Sequence, residues 1–248
     1  MSTRSTAEHS EEHQLFGVVV HQSGPDGVWN SRWHRKGRTK EHTSARAVSW
    51  AIALLFTIGS ALFVVGGIGA FSDAGWVRWA NLIGSTLFSI GAMLAVVEVR
   101  AALVALHETP TTAHLWRNPG GRAAFIQLPA AAFFFQIAMV AGAASGLSWL
   151  QTDAFLWTPS SIGSVGFVIS SWIAVRECAP ARDIGTWSAV ANLAGSVGFL
   201  VGSLTGYFSQ GPFDLNANEV SNPIFLAGST FFLIGSALGL AELRTPTE

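Results

Sequence analysis

Apolar residues fall into six long blocks along the chain, at residues 48–71, 76–99, 123–146, 155–176, 186–208 and 224–243. Each block is about 20 residues long, enough for a helix to cross a bilayer. Charged residues are nearly absent inside the blocks and collect at their ends. The pattern predicts an all-α integral membrane bundle of six transmembrane helices. Residues 1–14 are polar and predict disorder. Because the first long apolar block starts near Val48, the pattern argues against a secretory signal peptide. The chain therefore divides into a cytoplasmic N-terminal segment at 1–46, a membrane domain at 47–244 and a short tail at 245–248.

Five blocks repeat one pattern: Gly-Ser, two residues, Phe, two residues, then a small residue. It reads Gly59-Ser60, Phe63, Gly66; then Gly84-Ser85, Phe88, Gly91; then Gly163-Ser164, Phe167, Ser170. It continues as Gly195-Ser196, Phe199, Gly202 and as Gly228-Ser229, Phe232, Gly235. Small residues seven apart return to one helix face after two turns, so each helix offers a notch to a neighbour. In lipid, close backbone approach at such notches is a main source of helix adhesion. Helix three departs from the pattern. Aligned on Phe134 it reads Ala130-Ala131, Phe134, Ile137, which fills the second notch, and it carries the mid-depth Gln136. Pro129 and Pro159 are expected to unwind their helices locally.

The basic residues give the orientation. Thirteen of the 14 Lys and Arg fall before helix one, between helices two and three, between four and five, or after six; Arg78 is the exception. The positive-inside rule makes that side cytoplasmic and puts both termini there. Tryptophans near the block ends (Trp50, Trp172 and Trp187 inside; Trp76, Trp79, Trp149 and Trp157 outside) form the expected interfacial belts. In the N-terminal segment, a β-prone run at 15–20 and a turn signal at Ser23–Gly27 predict a small hairpin. The basic stretch from Trp29 to Lys40 follows it, and it is read as an anchor to anionic lipids rather than as a nucleic-acid patch.

Helices two, four and six each place an acid ten residues after the motif Phe: Glu98, Glu177 and Glu242. A basic residue sits close to each, namely Arg100, Arg176 and Arg244. This match favours three repeated hairpins about an axis normal to the membrane. A rival inverted three-plus-three parse rests on Ala80-Asn81-Leu82 matching Ala191-Asn192-Leu193. The Gly-Ser-x-x-Phe helices, with Ser160–Cys178, Ala191–Phe199 and Asn222–Gly235, resemble the YrhK-domain family of small bacterial membrane proteins, in particular its longer multi-hairpin members. The resemblance implies a fold and a membrane location, and it brings no catalytic residues.

Only 12% of the 248 residues are charged, about half the share in soluble domains. No helix carries an ionisable residue near its centre, so neither a haem ligand nor a base for a serine nucleophile is in place. No phosphate-binding loop is present. His107 and His114 with Glu108 match no metal spacing, and the single Cys178 reads as an ordinary small side chain. The expectation is thus a non-enzymatic protein without cofactor or metal, with a packing or interaction role toward the bilayer and either a second copy or another membrane protein. The alternative is a small channel or transporter whose vestibule is ringed by the three glutamates. Asn81, Gln136 and Asn192 are the amides that would line its path; if they pair with neighbouring helices, that reading weakens.

Overall fold

The computed structural model describes residues 11–24, 27–37, 43–72, 74–106, 111–209 and 219–245. Three antiparallel strands come first, β1 (Glu11–Leu15), β2 (Val18–Gly24) and β3 (Gly27–Asn30), in the order β1-β2-β3. The sequence predicts disorder over residues 1–14 and a single hairpin after them; instead, Glu11–Leu15 adds a strand, and residues 1–10 lie outside the described residues. Phe16 (φ 55°) and Gly17 (φ 74°) both take the left-handed conformation that a two-residue hairpin turn requires. The second hairpin pairs from His21↔Asn30 to Gly24↔Gly27, across the predicted turn. Pro25 and Asp26 within that turn lie outside the described residues. The Arg122 guanidinium lies 3.9 Å over the Phe16 ring, which ties the sheet to the start of span three.

Six helices are long and apolar enough to cross a membrane: Arg46–Ala70, Val77–Val104, Pro119–Ala143, Trp149–Cys178, Ile184–Gly206 and Ser221–Arg244. A one-turn helix α1 (Ser31–Arg35) precedes them. Span one is α2 (Thr43–Ala70) and span two α3 (Val77–Leu106), followed by the short α4 (Thr112–Arg117). Span three joins α5 (Pro119–Pro129) and α6 (Gln136–Ala143) through a π-helical stretch, Ala130–Phe135. Span four joins α7 (Trp149–Thr152) and α8 (Thr158–Cys178) through another, Asp153–Trp157. Spans five and six are α9 (Ile184–Gly206) and α10 (Ser221–Arg244). Both π stretches adjoin a proline, Pro129 and Pro159, whose ring lacks an N–H and crowds the carbonyl four residues back. The expected local unwinding takes this form, one extra residue in a turn.

The spans form a ring in which each packs against its neighbours in sequence and the sixth closes on the first. Phenylalanines fill its middle. Phe63, Phe135 and Phe199 of the odd spans form one triangle, with ring centroids 5.5–5.8 Å apart. Phe88, Phe167 and Phe232 of the even spans form a second, at 5.7–6.5 Å. The triangles are joined by Phe63–Phe88 at 5.5 Å, Phe135–Phe167 at 5.6 Å and Phe199–Phe232 at 5.2 Å. Each joining pair comes from two consecutive spans.

The backbones meet at the notches. A Cβ added to Gly59 would stand 3.0 Å from the Gly84 carbonyl oxygen, and one on Gly84 would stand 3.0 Å from that of Gly59. Gly195 and Gly228 oppose one another in the same way, at 2.9 and 3.1 Å. Between spans three and four, Gly163 meets the Ala130 carbonyl, at 3.0 Å by the same measure.

Span three corrects the reading of its own sequence. Phe135, not Phe134, enters the core, at 2% exposure. Counted from Phe135, the two notch positions are Ala131 and Ala138, both at 0% exposure, so the second notch is kept rather than filled by Ile137. The outward faces of the bundle are apolar: Ile58, Ile83, Met93, Val140 and Trp187 are all more than half exposed. Trp76, Trp79, Trp149 and Trp172 are likewise exposed. Trp157 instead turns inward, stacked on Phe225 at 6.2 Å and packed against Gly206.

Candidate functional site

One end of the ring is closed by α1. Asn30 precedes this helix and its Oδ1 accepts from the Arg32 and Trp33 backbone N–H groups, at 2.9 and 3.3 Å, which fixes the single turn. Residues one turn apart share a helix face, so Ser31, Arg32, Arg35 and Lys36 are presented together to the bundle. Trp33 pins the helix from the side by donating from Nε1 to Asp183 Oδ2, at 2.8 Å.

Three carboxylates meet that face, one from each even span. Arg32 donates to both oxygens of Glu242, from Nε and Nη2, each at 2.9 Å, and Lys36 Nζ donates to Oε2, at 2.9 Å. Arg35 donates to both oxygens of Glu177, from Nη1 at 2.6 Å and Nη2 at 3.0 Å, and Ser31 Oγ adds a bond to Oε1, at 2.7 Å. Arg35 Nε also faces Glu98, 3.5 Å from Oε2, while the Ser49 hydroxyl donates to Oε1 of that residue. Glu98, Glu177 and Glu242 are 6%, 1% and 0% exposed. Three carboxylates against Arg32, Arg35 and Lys36 leave the cluster without net charge. Bidentate guanidinium geometry is the arrangement in which buried pairs recover most of their lost hydration.

The cluster sets the ionisation of the cap. Burial works against the charge of Arg32 and Arg35, but Glu242 and Glu177 outweigh it, and both guanidiniums are held above the usual arginine range. In Lys36, burial and then the Arg32 charge outweigh Glu242, and its pKa is lowered.

Room for the guanidiniums comes from glycines. A side chain on Gly120 would collide with the Arg35 guanidinium, and a Cβ on Gly185 would stand 2.7 Å from Glu242 Oε1 and 3.1 Å from Arg32 Nε. Gly185 lies 14 residues before Phe199 and Ser49 lies 14 before Phe63. Gly120 lies 15 before Phe135, and the one-residue difference is the π insertion between them. The odd spans thus contribute Ser49, Gly120 and Gly185 at one level, facing the three acids of the even spans.

Between this cap and the even phenylalanine triangle lies a cavity of about 160 Å³. Glu98, Glu177 and the cap form its floor, and Phe88, Phe167 and Phe232 form its roof. Its walls are small residues of the even spans, Ala95, Ser170, Ser171, Ala174, Ser236 and Gly239.

The sequence predicts Arg100, Arg176 and Arg244 beside the acids at hydrated helix ends; the structure pairs the acids with α1 instead. All three arginines are exposed, and Arg244 lies over the Trp50 ring, at 5.9 Å. The acids face the axis, whereas the neighbouring arginines stand one or two residues further round each helix, on the outside. Likewise Arg32, Arg35 and Lys36, expected to contact anionic lipid, turn to the glutamates. The signal for this was present: three acids at equal depth call for three cations, and Arg32, Arg35 and Lys36 carry them at one-turn spacing. Ser31 had no sequence signal, and Ser49, Gly120 and Gly185 had none apart from their distance to the motif Phe.

Of the three amides, Gln136 hydrogen-bonds within the bundle. Gln136 Nε2 donates to Thr86 Oγ1, at 3.1 Å, and its Oε1 accepts from Ser85 and Ser89 of span two, at 3.0 and 3.4 Å. Asn81 packs on Gly66 and Asn192 on Gly235, each against its partner span, and Asn192 also reaches the cavity. Among the motif serines, Ser85, Ser170, Ser196 and Ser229 donate to carbonyls three or four residues back. Gly91 and Gly202 seat the rings of Phe56 and Phe225. His114 caps α4, its Nδ1 accepting from Thr111 N at 3.2 Å, while His107 and Glu108 lie outside the described residues. No group of His, Cys, Asp and Glu among the described residues is arranged to hold a metal ion. Cys178 is buried beside Glu177.

These features define the class: an all-α bundle of six membrane-compatible helices with a polar cap at one end. The chain matches no family model, and no curated protein and no solved structure matches it.

Proposed function

We propose that this chain is a non-enzymatic, multi-pass protein of the cell membrane with an interaction or packing role, closed along its axis. The capped end and both termini are cytoplasmic in this reading, as the basic residues require, and the fold is three repeated hairpins of the YrhK-like type. One observation carries the closed reading: six interlocked phenylalanine rings occupy the axis where a conducting path would have to run. The pairing of Gln136 with span two and the packing of Asn81 against Gly66 of span one support it. The three-hairpin parse is supported by ring pairs that join consecutive spans and by the acids at the ends of all three even spans.

The test is ion and proton flux in liposomes, comparing the wild type with E98Q/E177Q/E242Q. Background leak in both is the expected result. Flux in the wild type above protein-free liposomes, altered in the triple variant, would overturn the reading. The second reading, a gated path with a capped vestibule, draws on the cavity under the ring triangle, and that same flux result would favour it.

A further inference from the structure

The cavity is a feature that packing alone leaves without a purpose. The even spans shape it with Gly, Ala and Ser at the turns after each motif Phe. The odd spans line it unequally at a single level. Phe56 lies seven residues before Phe63 and Asn192 seven before Phe199, while Gln127 lies eight before Phe135, again one more for the π insertion. One wall is therefore an aromatic ring and the other two are amides.

Neither the Gln127 nor the Asn192 side-chain amide has a hydrogen-bond partner among the described residues, and both line the cavity. Both side chains are half-buried, so their donors and acceptors stay open to whatever fills the cavity, and a guest that bonds them satisfies groups the protein leaves unpaired. The space is ample: about 10–15 Å³ of this kind of volume holds one water, so 160 Å³ accepts a molecule the size of glycerol. Charge restricts the class further. Each carboxylate already faces a guanidinium or ammonium, so an added ion of either sign would sit unbalanced in a buried site. A purely apolar guest would leave both amides unpaired.

We propose that this cavity is a binding site for a small uncharged hydrogen-bonding molecule of the polyol or simple amide type. Gln127 and Asn192 bond its polar groups, and Phe56 packs on its carbon face. The proposal rests on the closed reading of the axis, and binding and flux are measured separately so that each can fail alone.

The test uses the full chain in nanodiscs and saturation-transfer NMR. The probes are glycerol and acetamide, with tetramethylammonium and acetate as charged controls. Saturation transfer to the neutral probes and not to the ions is expected, with loss in Q127L/N192L. A second variant, G239V, fills the void: a Cβ there meets only Ser188 Oγ, at 3.6 Å. Protection of residues 27–37 from protease reports that the cap is still docked in each variant. Loss of transfer in G239V with the cap docked supports the site even if Q127L/N192L fails to fold. No transfer to glycerol or acetamide in the wild type, transfer that survives G239V, or equal transfer to the ions overturns the proposal.

Discussion

At the capped end Glu98, Glu177 and Glu242 are buried with each carboxylate bonded, whereas at the far end span four buries polar atoms that no protein group meets. These are Asp153 Oδ1, Trp157 Nε1, Ser161 Oγ and Ser164 Oγ, at spacings of four, four and three residues along one helix face. The difference lies in where partners can come from. The arginine near each acid stands on the outer face of its span, so the cations that meet the acids are imported on α1, from chain that precedes the spans. No such segment reaches the far half of span four among the described residues, and its π stretch at Asp153–Trp157 begins where those polar atoms begin. Buried carboxylates are thus bonded by protein groups at one end, while buried polar atoms at the other, one of them a carboxylate oxygen, meet none.

The largest expected effect breaks the capped end. Arg35 faces two carboxylates, so R35M strands both Glu177 and Glu98. Removing one partner of a buried pair typically costs about 3–5 kcal/mol. Unfolding in detergent, followed by tryptophan fluorescence, should shift by that amount, and R100M, R176M and R244M should shift little. Equal losses at the exposed arginines would mean that the acids are held as the sequence first indicated.

The rings that separate the two ends provide the next effect. F135A should lower stability by about 3 kcal/mol, in the range for large core truncations, and F134A by well under half of that. The contrast also marks what sequence could and could not tell. The spans were legible because twenty apolar residues in a row have one common use. The motif Phe and the matched acids were legible because they recur. The register of span three was not, since Ala-Ala-Ala-Phe-Phe-Phe offers three equivalent rings and only the π turn at Pro129 selects Phe135. The destination of α1 was not legible either: the five residues Arg32–Lys36, with three cations, suit a lipid surface as well as a ring of glutamates until the inward direction of Glu98, Glu177 and Glu242 is fixed. The apolar block predicts span four from 155, past Asp153. A capping box at Ser148 and Gln151 starts the helix at Trp149 instead.

A smaller pair of substitutions sharpens the comparison by sign. Ser31 donates to Glu177, so S31A should destabilise by about 1–3 kcal/mol, the range for hydrogen bonds to charged groups. Ser164 is fully buried with an unbonded hydroxyl, so S164A should stabilise by about 1 kcal/mol if the far end is dry. A loss at S164A would mean that an ordered water bonds the hydroxyl, and the two ends would then differ in partner rather than in satisfaction.

The smallest effect is a pH dependence confined to the cap. Free of the bundle, Lys36 keeps its ordinary value near 10.5, and docking lowers it because burial and Arg32 oppose the charge. Between the docked and the free value, the free segment holds one proton more than the docked one. Docking therefore strengthens as pH rises through that window. The gain is complete above the free value and is lost as pH falls through the docked one. Arg32 and Arg35 stay charged throughout, and Lys36 meets Glu242 directly, with the Arg32 and Glu98 charges acting on it through space. Protease protection of residues 27–37 should thus increase modestly on raising the pH toward 10.5, and K36M should be flat over the same range. Protection that falls with rising pH in the wild type would show that the Lys36–Glu242 pair outweighs the burial of the ammonium.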